Sequence, residues 1–365
     1  MVSYTDSSNM HDFFLTLVRL GIGTSKVTKI PKGVDWAEMK AFAEQQGLDA
    51  IVLDGIEKLP ASARPPQEIL LEWIGEVLQG YEYTYEQYCK TIADMAVFYN
   101  SHGYKMMVLK GYACSLDWPK PEHRPCGDID IWQFGMQKEA DETLRLAQGP
   151  GFKIDKSHHH HTVFEWGEFT VENHYDFVNV HAHRSSAELE KVFKKFGQDD
   201  TYFVDLHGEK VYLPSPNLHA LFLIKHMVSH FAAAEINLRQ VLDWAFFVEK
   251  HHEEVDWKWL DGMLGKYNMK DFVNCINGIC VEGLGFEVSI FRGVQFNPQL
   301  KDRILEDILE PEYGLAGSMG FFQDIKYKYK RWQGNAWKQK LCYNESRCEY
   351  FLSGIWAKIL KPTSF

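Results

Sequence analysis

Gly127-Asp128-Ile129-Asp130-Ile131 alternates carboxylates with branched apolar side chains, and this alternation most restricts the fold of the chain. Residues two apart on a strand share a face. A half-buried strand here sends Ile129 and Ile131 into a core and presents Asp128 and Asp130 together on the other side. Two like charges held so close repel and raise each other's pKa unless a cation lies between them. Paired oxygen ligands suit a hard ion such as Mg²⁺. A turn bearing two solvated acids is the plain alternative for a bare Asp-x-Asp, and the residues upstream weigh against it.

Those residues are Val108-Leu109-Lys110-Gly111, about one strand and one turn earlier, followed by a helix-compatible run from Tyr112 to Trp118. Gly111 lets backbone approach a ligand closely, and the N–H groups of a following helix favour phosphate. Lys110 adds a flexible positive charge. Together these residues resemble the nucleotidyltransferases of the DNA polymerase β superfamily, which carry a Gly-Gly or Gly-Ser turn, a helix, and then a strand with Asp-x-Asp. The form Leu109-Lys110-Gly111, Arg124 and Gly127-Asp128-Ile129-Asp130 is closer still to an uncharacterised bacterial branch. In that branch the turn reads Lys-Gly and an Arg precedes the acid pair. The single glycine between Lys110 and Tyr112 departs from the commoner turn.

The resemblance implies transfer of a nucleoside monophosphate from an NTP to an acceptor, with Mg²⁺ or Mn²⁺ as cofactor and two ions bound. Asp128 and Asp130 would hold the metals. The superfamily also needs a third carboxylate on a later strand, and Glu172-Asn173-His174 matches the acid-x-His pattern found there. Lys110, Gly111 and Arg124 would contact the triphosphate, with His160, His161 and His174 as further phosphate contacts. Histidines commonly precede the same strand in the resembled branch. The acceptor stays open among a small molecule, a sugar, a protein side chain and an RNA end.

The chain has 365 residues and is 45% hydrophobic and 14% aromatic, which describes an ordered protein with sizeable cores. Its net charge of −11 argues against a general nucleic-acid binder. Lys326, Lys328, Lys330 and Arg331, interleaved with Tyr327, Tyr329 and Trp332, read as a solvated helix face. Seven cysteines show no metal-binding spacing and no signal peptide precedes them, so they read as reduced thiols in a cytoplasmic protein. No apolar run reaches membrane-spanning length; the nearest, Leu218 to Ala234, is broken by Lys225 and three histidines.

Residues 1–100 read as a helical segment, 101–213 as the α/β core, and 214–365 as a C-terminal helical domain. Asp35 is a candidate N-cap and Gly47 a left-handed stop for one early helix. The stretch from Val34 to Ile51 aligns without gaps on Val255 to Phe272, with Gly47 against Asn268. Ile69 to Tyr99 reads as one long helix or two. In the core, Met106–Leu109, Ile129–Ile131, Val163–Trp166 and Phe169–His174 read as strands, and Lys138–Gln148 as a helix. Thr170, Glu172 and His174 share one face of the last strand.

His158 to His161 is an internal run whose alternate side chains diverge on a strand. His181 and His183 read as surface or secondary contacts. His226 and His230 lie one turn apart, without the Glu of the H-E-x-x-H metalloprotease motif, and read as structural beside an Arg239–Asp243 helix pair.

The expected fold is therefore α+β, a small mixed sheet enclosed by helical segments at both ends. Two rival functions remain. One is a catalytically decayed nucleotide-binding or regulatory module acting through a protein partner. The other is a metal-dependent hydrolase using His158–His161 with Asp128.

Overall fold

The structure is a computed structural model that describes residues 4–25, 30–31, 33–181, 183–292, 294–314, 321–346 and 349. Six strands form one mixed sheet: β1 Met107–Val108, β2 Ile129–Trp132, β3 His161–Trp166, β4 Phe169–His174, β5 Phe203–Leu206 and β6 Glu209–Tyr212. Their spatial order is β3-β4-β2-β1-β6-β5. Two hairpins, β3–β4 and β5–β6, occupy the edges, while β2–β4 and β1–β6 run parallel at the interior joints. Gly167 turns the first hairpin and His207-Gly208 the second, all at positive φ, which bends each connection with the strand twist.

The alternation read from the sequence sorts the sheet into two faces. Val108, Ile129, Ile131, Phe164, Val171 and Val211 enter a core with Tyr88, Ile92, Met95 and Tyr99 of helix Thr84–Ser101. Ala140 and Leu144 of helix Gln137–Gln148 complete that layer. On the opposite face, Met107, Trp132 and Tyr212 join a larger core built on helix Pro216–Ala233. Asp130 and Glu172 project from this second face, because Asp130 is two residues from Trp132 and pairs in register with Glu172.

Helices from both ends of the chain share that larger core. Phe14, Trp36 and Ile51 meet Leu242, Phe246, Ile276 and Ile308 in one apolar cluster. The Gln46 side chain ties the two ends, donating to Ile308 O at 3.0 Å and accepting from Leu238 N at 2.8 Å. The two aligned helix starts behave alike. Asp35 caps Trp36–Gln46 and Asp256 caps Trp257–Lys266, and Gly47 and Asn268 follow at φ 65° and 58°.

The stretch 69–99 is one continuous helical rod in which Gln67–Glu76 passes through a wider i→i+5 segment, Val77–Tyr83, into Thr84–Ser101. Lys326, Lys328 and Lys330 are exposed on helix Phe321–Gly334, a solvated face. Among the described residues no helix is long and apolar enough to cross a membrane. Six cysteines are free thiols; Cys348 lies outside the described residues.

Candidate active site

The parallel pairing of β2 with β4 sets Asp130 beside Glu172 and Trp132 beside His174. His174 Nε2 reaches Asp130 Oδ1 at 2.9 Å and Glu172 Oε2 at 3.4 Å, so one imidazole bridges both carboxylates. Lys110 Nζ lies 2.7 Å from the same Oδ1. Asp128 precedes β2, is exposed, and opens onto the same cleft.

The charges respond accordingly. Burial alone would raise the Asp130 carboxyl, but Lys110 and His174 hold it well below the usual carboxylate range. Burial raises Asp128, and the negative Glu172 and Asp130 raise it further. Burial opposes protonation of His174, yet its bonds to Asp130 and Glu172 raise its pKa above the ordinary value.

Gly111 adopts φ 52°, a conformation that favours glycine, and a Cβ there would run into the Tyr88 hydroxyl. That hydroxyl donates to Asp128 O at 3.1 Å, so Tyr88 fixes the Lys110-Gly111 turn against the start of the acidic strand. The helix expected over 112–118 is a single turn, Tyr112–Ser115. A helix this short contributes little dipole, so the phosphate argument at Gly111 rests on backbone approach and on Lys110.

Arg124 takes a different partner from the one its place in the motif suggests. It is buried, and its guanidinium donates from Nε to Asp243 Oδ1 at 2.8 Å and from Nη2 to Asp243 Oδ2 at 2.9 Å. Trp118 Nε1 donates to the same carboxylate at 2.9 Å. The expected Arg239–Asp243 helix pair is therefore replaced by a pair closed across 119 residues of chain. Arg239 is left facing the site, with its Nε buried without a hydrogen-bond partner among the described residues. Loss of water around it lowers its pKa, and nearby Arg124 adds to that.

His161 opens β3 opposite His174, and His160 precedes it by one residue. Their ring centroids lie 5.2 and 5.4 Å from that of His174. Burial lowers the pKa of both, helped by the positive charge of His174. His183 is buried, stacks on Tyr343 at 3.5 Å and lines the cleft, a secondary contact, while His181 is exposed.

A cleft of about 660 Å³ lies between this sheet face and the C-terminal helices. Glu172, His160, His161 and His174 line it on one side, and His226, His230, Arg239 and Tyr343 on the other. A smaller chamber of about 210 Å³ beside it is lined by Gly111, Arg124 and Asp130. Lys110, Asp128, His226, Arg239 and Gln240 border both. His226 Nε2 stands 3.5 Å from Lys110 Nζ, so the histidine pair read as structural belongs to the cleft wall. The i, i+4 spacing of His226 and His230 was the available signal; nothing local marked Arg239 or Tyr343.

The donor set fits a divalent cation. Asp130 and Glu172 come together with His174, Asp128 lines the same space outside that grouping, and Lys110 is the one lysine or arginine among the described residues that pairs with any of the three acids. Their oxygens are the hard donors Mg²⁺ and Mn²⁺ prefer.

The acid-bearing face of this α+β sheet thus opens on a cleft walled by the C-terminal helices. Residues 32–285 match the model of a family described as uncharacterised nucleotidyltransferase, and the chain belongs to that family. No curated protein matches the sequence. Among solved structures, an antigenic nucleotidyltransferase-like protein from Paracoccidioides brasiliensis aligns at 13% identity and TM-score 0.35. That alignment spans 56% of this chain and 96% of the other, an overlap too loose to bear on the fold.

Proposed function

We propose that this protein transfers a nucleoside monophosphate from an NTP to a hydroxyl-bearing acceptor and releases pyrophosphate. The observation that carries this is the register of β2 on β4, which sets Asp130 of the smaller chamber beside Glu172 of the cleft, with Asp128 bordering both.

Asp128, Asp130 and Glu172 are the residues that would hold Mg²⁺ or Mn²⁺. Both described contacts of the Asp130 carboxylate fall on Oδ1, and no described residue bonds Oδ2. Bound there, two divalent ions would stabilise the attacking and leaving oxygens of an in-line displacement. The acceptor oxygen bonds to the α-phosphorus as the bond from that phosphorus to the β-bridging oxygen breaks, and pyrophosphate leaves with the electron pair. Glu172 would take the acceptor's proton; its Oε2 lies 3.4 Å from His174 Nε2 and 3.7 Å from His161 Nδ1.

Lys110 and Arg239 offset the triphosphate charge. Arg124, whose charge Asp243 already balances, steadies the loop before β2. Lys110 turns from Asp130 toward phosphate when nucleotide enters. His160 and His161 border the cleft where phosphate or acceptor passes.

Thermal unfolding tests this reading. ATP or another NTP should raise Tm with Mg²⁺ or Mn²⁺ and leave it unchanged in EDTA. Equal stabilisation without metal would favour a nucleotide-binding module of the decayed kind, which the Lys110–Asp130 pair also permits. For the rival hydrolase, the described ligand groupings join His160 and His161 to His174, and Asp128 is in neither grouping.

A further inference from the structure

We infer that His160, His161 and His174 form a nitrogen-rich site for a borderline dication of the Zn²⁺ class, beside the oxygen donors Asp128, Asp130 and Glu172. One nitrogen from each of the three imidazoles lies within 4.8 Å of the others. Tetrahedral zinc with ligands at about 2.0–2.1 Å holds its donors roughly 3.4 Å apart. Binding would draw the three nitrogens together by up to about 1.4 Å.

The site is built from fixed pieces. His161 and His174 are cross-strand partners on β3 and β4. His160 would be expected to point away from His161 on a continuous strand, but it lies in the bend before β3. Its carbonyl accepts from Tyr175 N at 3.0 Å and Asp176 N at 3.2 Å, which pins the bend to the end of β4. The Tyr175 hydroxyl donates to His158 O at 2.8 Å, adding a second tie.

The nitrogens are poised as ligands. His174 Nδ1 faces Asp176 O at 3.2 Å, so one ring proton belongs there, while Nε2 carries a proton toward Asp130 and Glu172. A dication would displace that Nε2 proton and take its place beside the carboxylates. Both ring nitrogens of His161 and Nδ1 of His160 are buried without a hydrogen-bond partner among the described residues, and His161 is only 7% exposed. Glu172 Oε2 lies 3.7 Å from His161 Nδ1 and 3.4 Å from His174 Nε2, outside the three-histidine grouping, which leaves the fourth position to water. Three imidazoles select zinc-class ions over Mg²⁺. Such an ion would draw His174 Nε2 off Asp130 and release that carboxylate toward the oxygen site.

The inference stands apart from the nucleotidyl-transfer reading, because it is tested without nucleotide. Tag-free full-length protein is titrated with Zn²⁺ by calorimetry, and Co²⁺ is added to a parallel sample. One Zn²⁺ per chain should bind, and Co²⁺ should give the intense visible absorption of a tetrahedral site. His161→Ala and His174→Ala should each weaken zinc by at least about tenfold with unchanged circular dichroism. His158→Ala and His159→Ala should bind zinc as the unaltered protein does. Zinc binding that survives His174→Ala but falls in His158→Ala would show a tag-like run and overturn the site. The weak absorption of six-coordinate Co²⁺ in the unaltered protein would overturn it even if a variant failed to fold.

Discussion

Lys110 Nζ sits 2.7 Å from Asp130 Oδ1, so the lysine expected to hold phosphate is parked on a carboxylate expected to hold metal. With His174, the pair explains how a buried Asp130 stays ionised. It also couples the two ligands, because a metal at Asp130 and a phosphate at Lys110 each compete with this one contact.

Replacing Lys110 therefore separates the two roles. Lys110→Ala should weaken NTP binding by about tenfold or more, the loss of one charge-assisted contact. Mg²⁺ binding in the absence of nucleotide should hold steady or tighten, since a competing cation is gone. Calorimetric titration of each ligand checks both, and a variant that loses its fold instead would make Lys110 structural.

Arg124 and Arg239 should part company in the same way. Arg124→Ala leaves Asp243 buried and unpaired, which costs about 3–5 kcal/mol. Arg239→Ala removes no described ion pair, so stability should change by less than about 1 kcal/mol while NTP affinity falls. Urea unfolding with nucleotide titration decides the matter; a stable Arg124→Ala protein would refute the pairing account.

Gly111→Ala should destabilise by about 1–3 kcal/mol, from strain at φ 52° and from the Tyr88 hydroxyl in the path of the new methyl. Adding Tyr88→Phe removes the clashing oxygen and should recover part of that loss. No recovery would mean that backbone conformation alone demands the glycine.

Much of this arrangement was legible because it is local. The two-residue alternation located β2 and β4, and the run Phe169–His174 matches β4 end for end. The same alternation put Glu172 and His174 on one face. The Asp caps and left-handed stops before and after the two aligned helices also follow from neighbouring residues. What escaped was set at long range. Asp243 is claimed by Arg124 from far along the chain, which frees the nearer Arg239, and no helical spacing reports that. Strands β5 and β6 went unread because both alternate weakly, with the β5 side chains half-buried or exposed. The helix after Gly111 stops at Ser115, where the Ser115 hydroxyl turns back to Tyr112 O at 2.8 Å and competes with further helical bonding.

Acid should loosen the C-terminal packing through His219. Burial depresses its pKa to about 4 from an ordinary 6.5, with Asp117, His251, Asp243 and Arg124 as the charges around it. The native state holds it neutral while the unfolded chain takes up a proton below pH 6.5. Its contribution is thus present above pH 6.5 and lost as pH falls toward 4, about 3 kcal/mol in all. Unfolding free energies of the unaltered protein and His219→Gln across that range should converge toward the acid end. Parallel curves would contradict the depressed pKa.

The account rests most heavily on transfer of the α-phosphoryl group, and label position reads that directly. The protein is incubated with cell extract, Mg²⁺ and ATP labelled in parallel at the α- or the γ-phosphate. Covalent label should reach an acceptor from α-labelled ATP alone, with pyrophosphate released, and Asp130→Asn should abolish it. Transfer of the γ-label, or α-labelling that Asp130→Asn leaves intact, would contradict nucleotidyl transfer at this site.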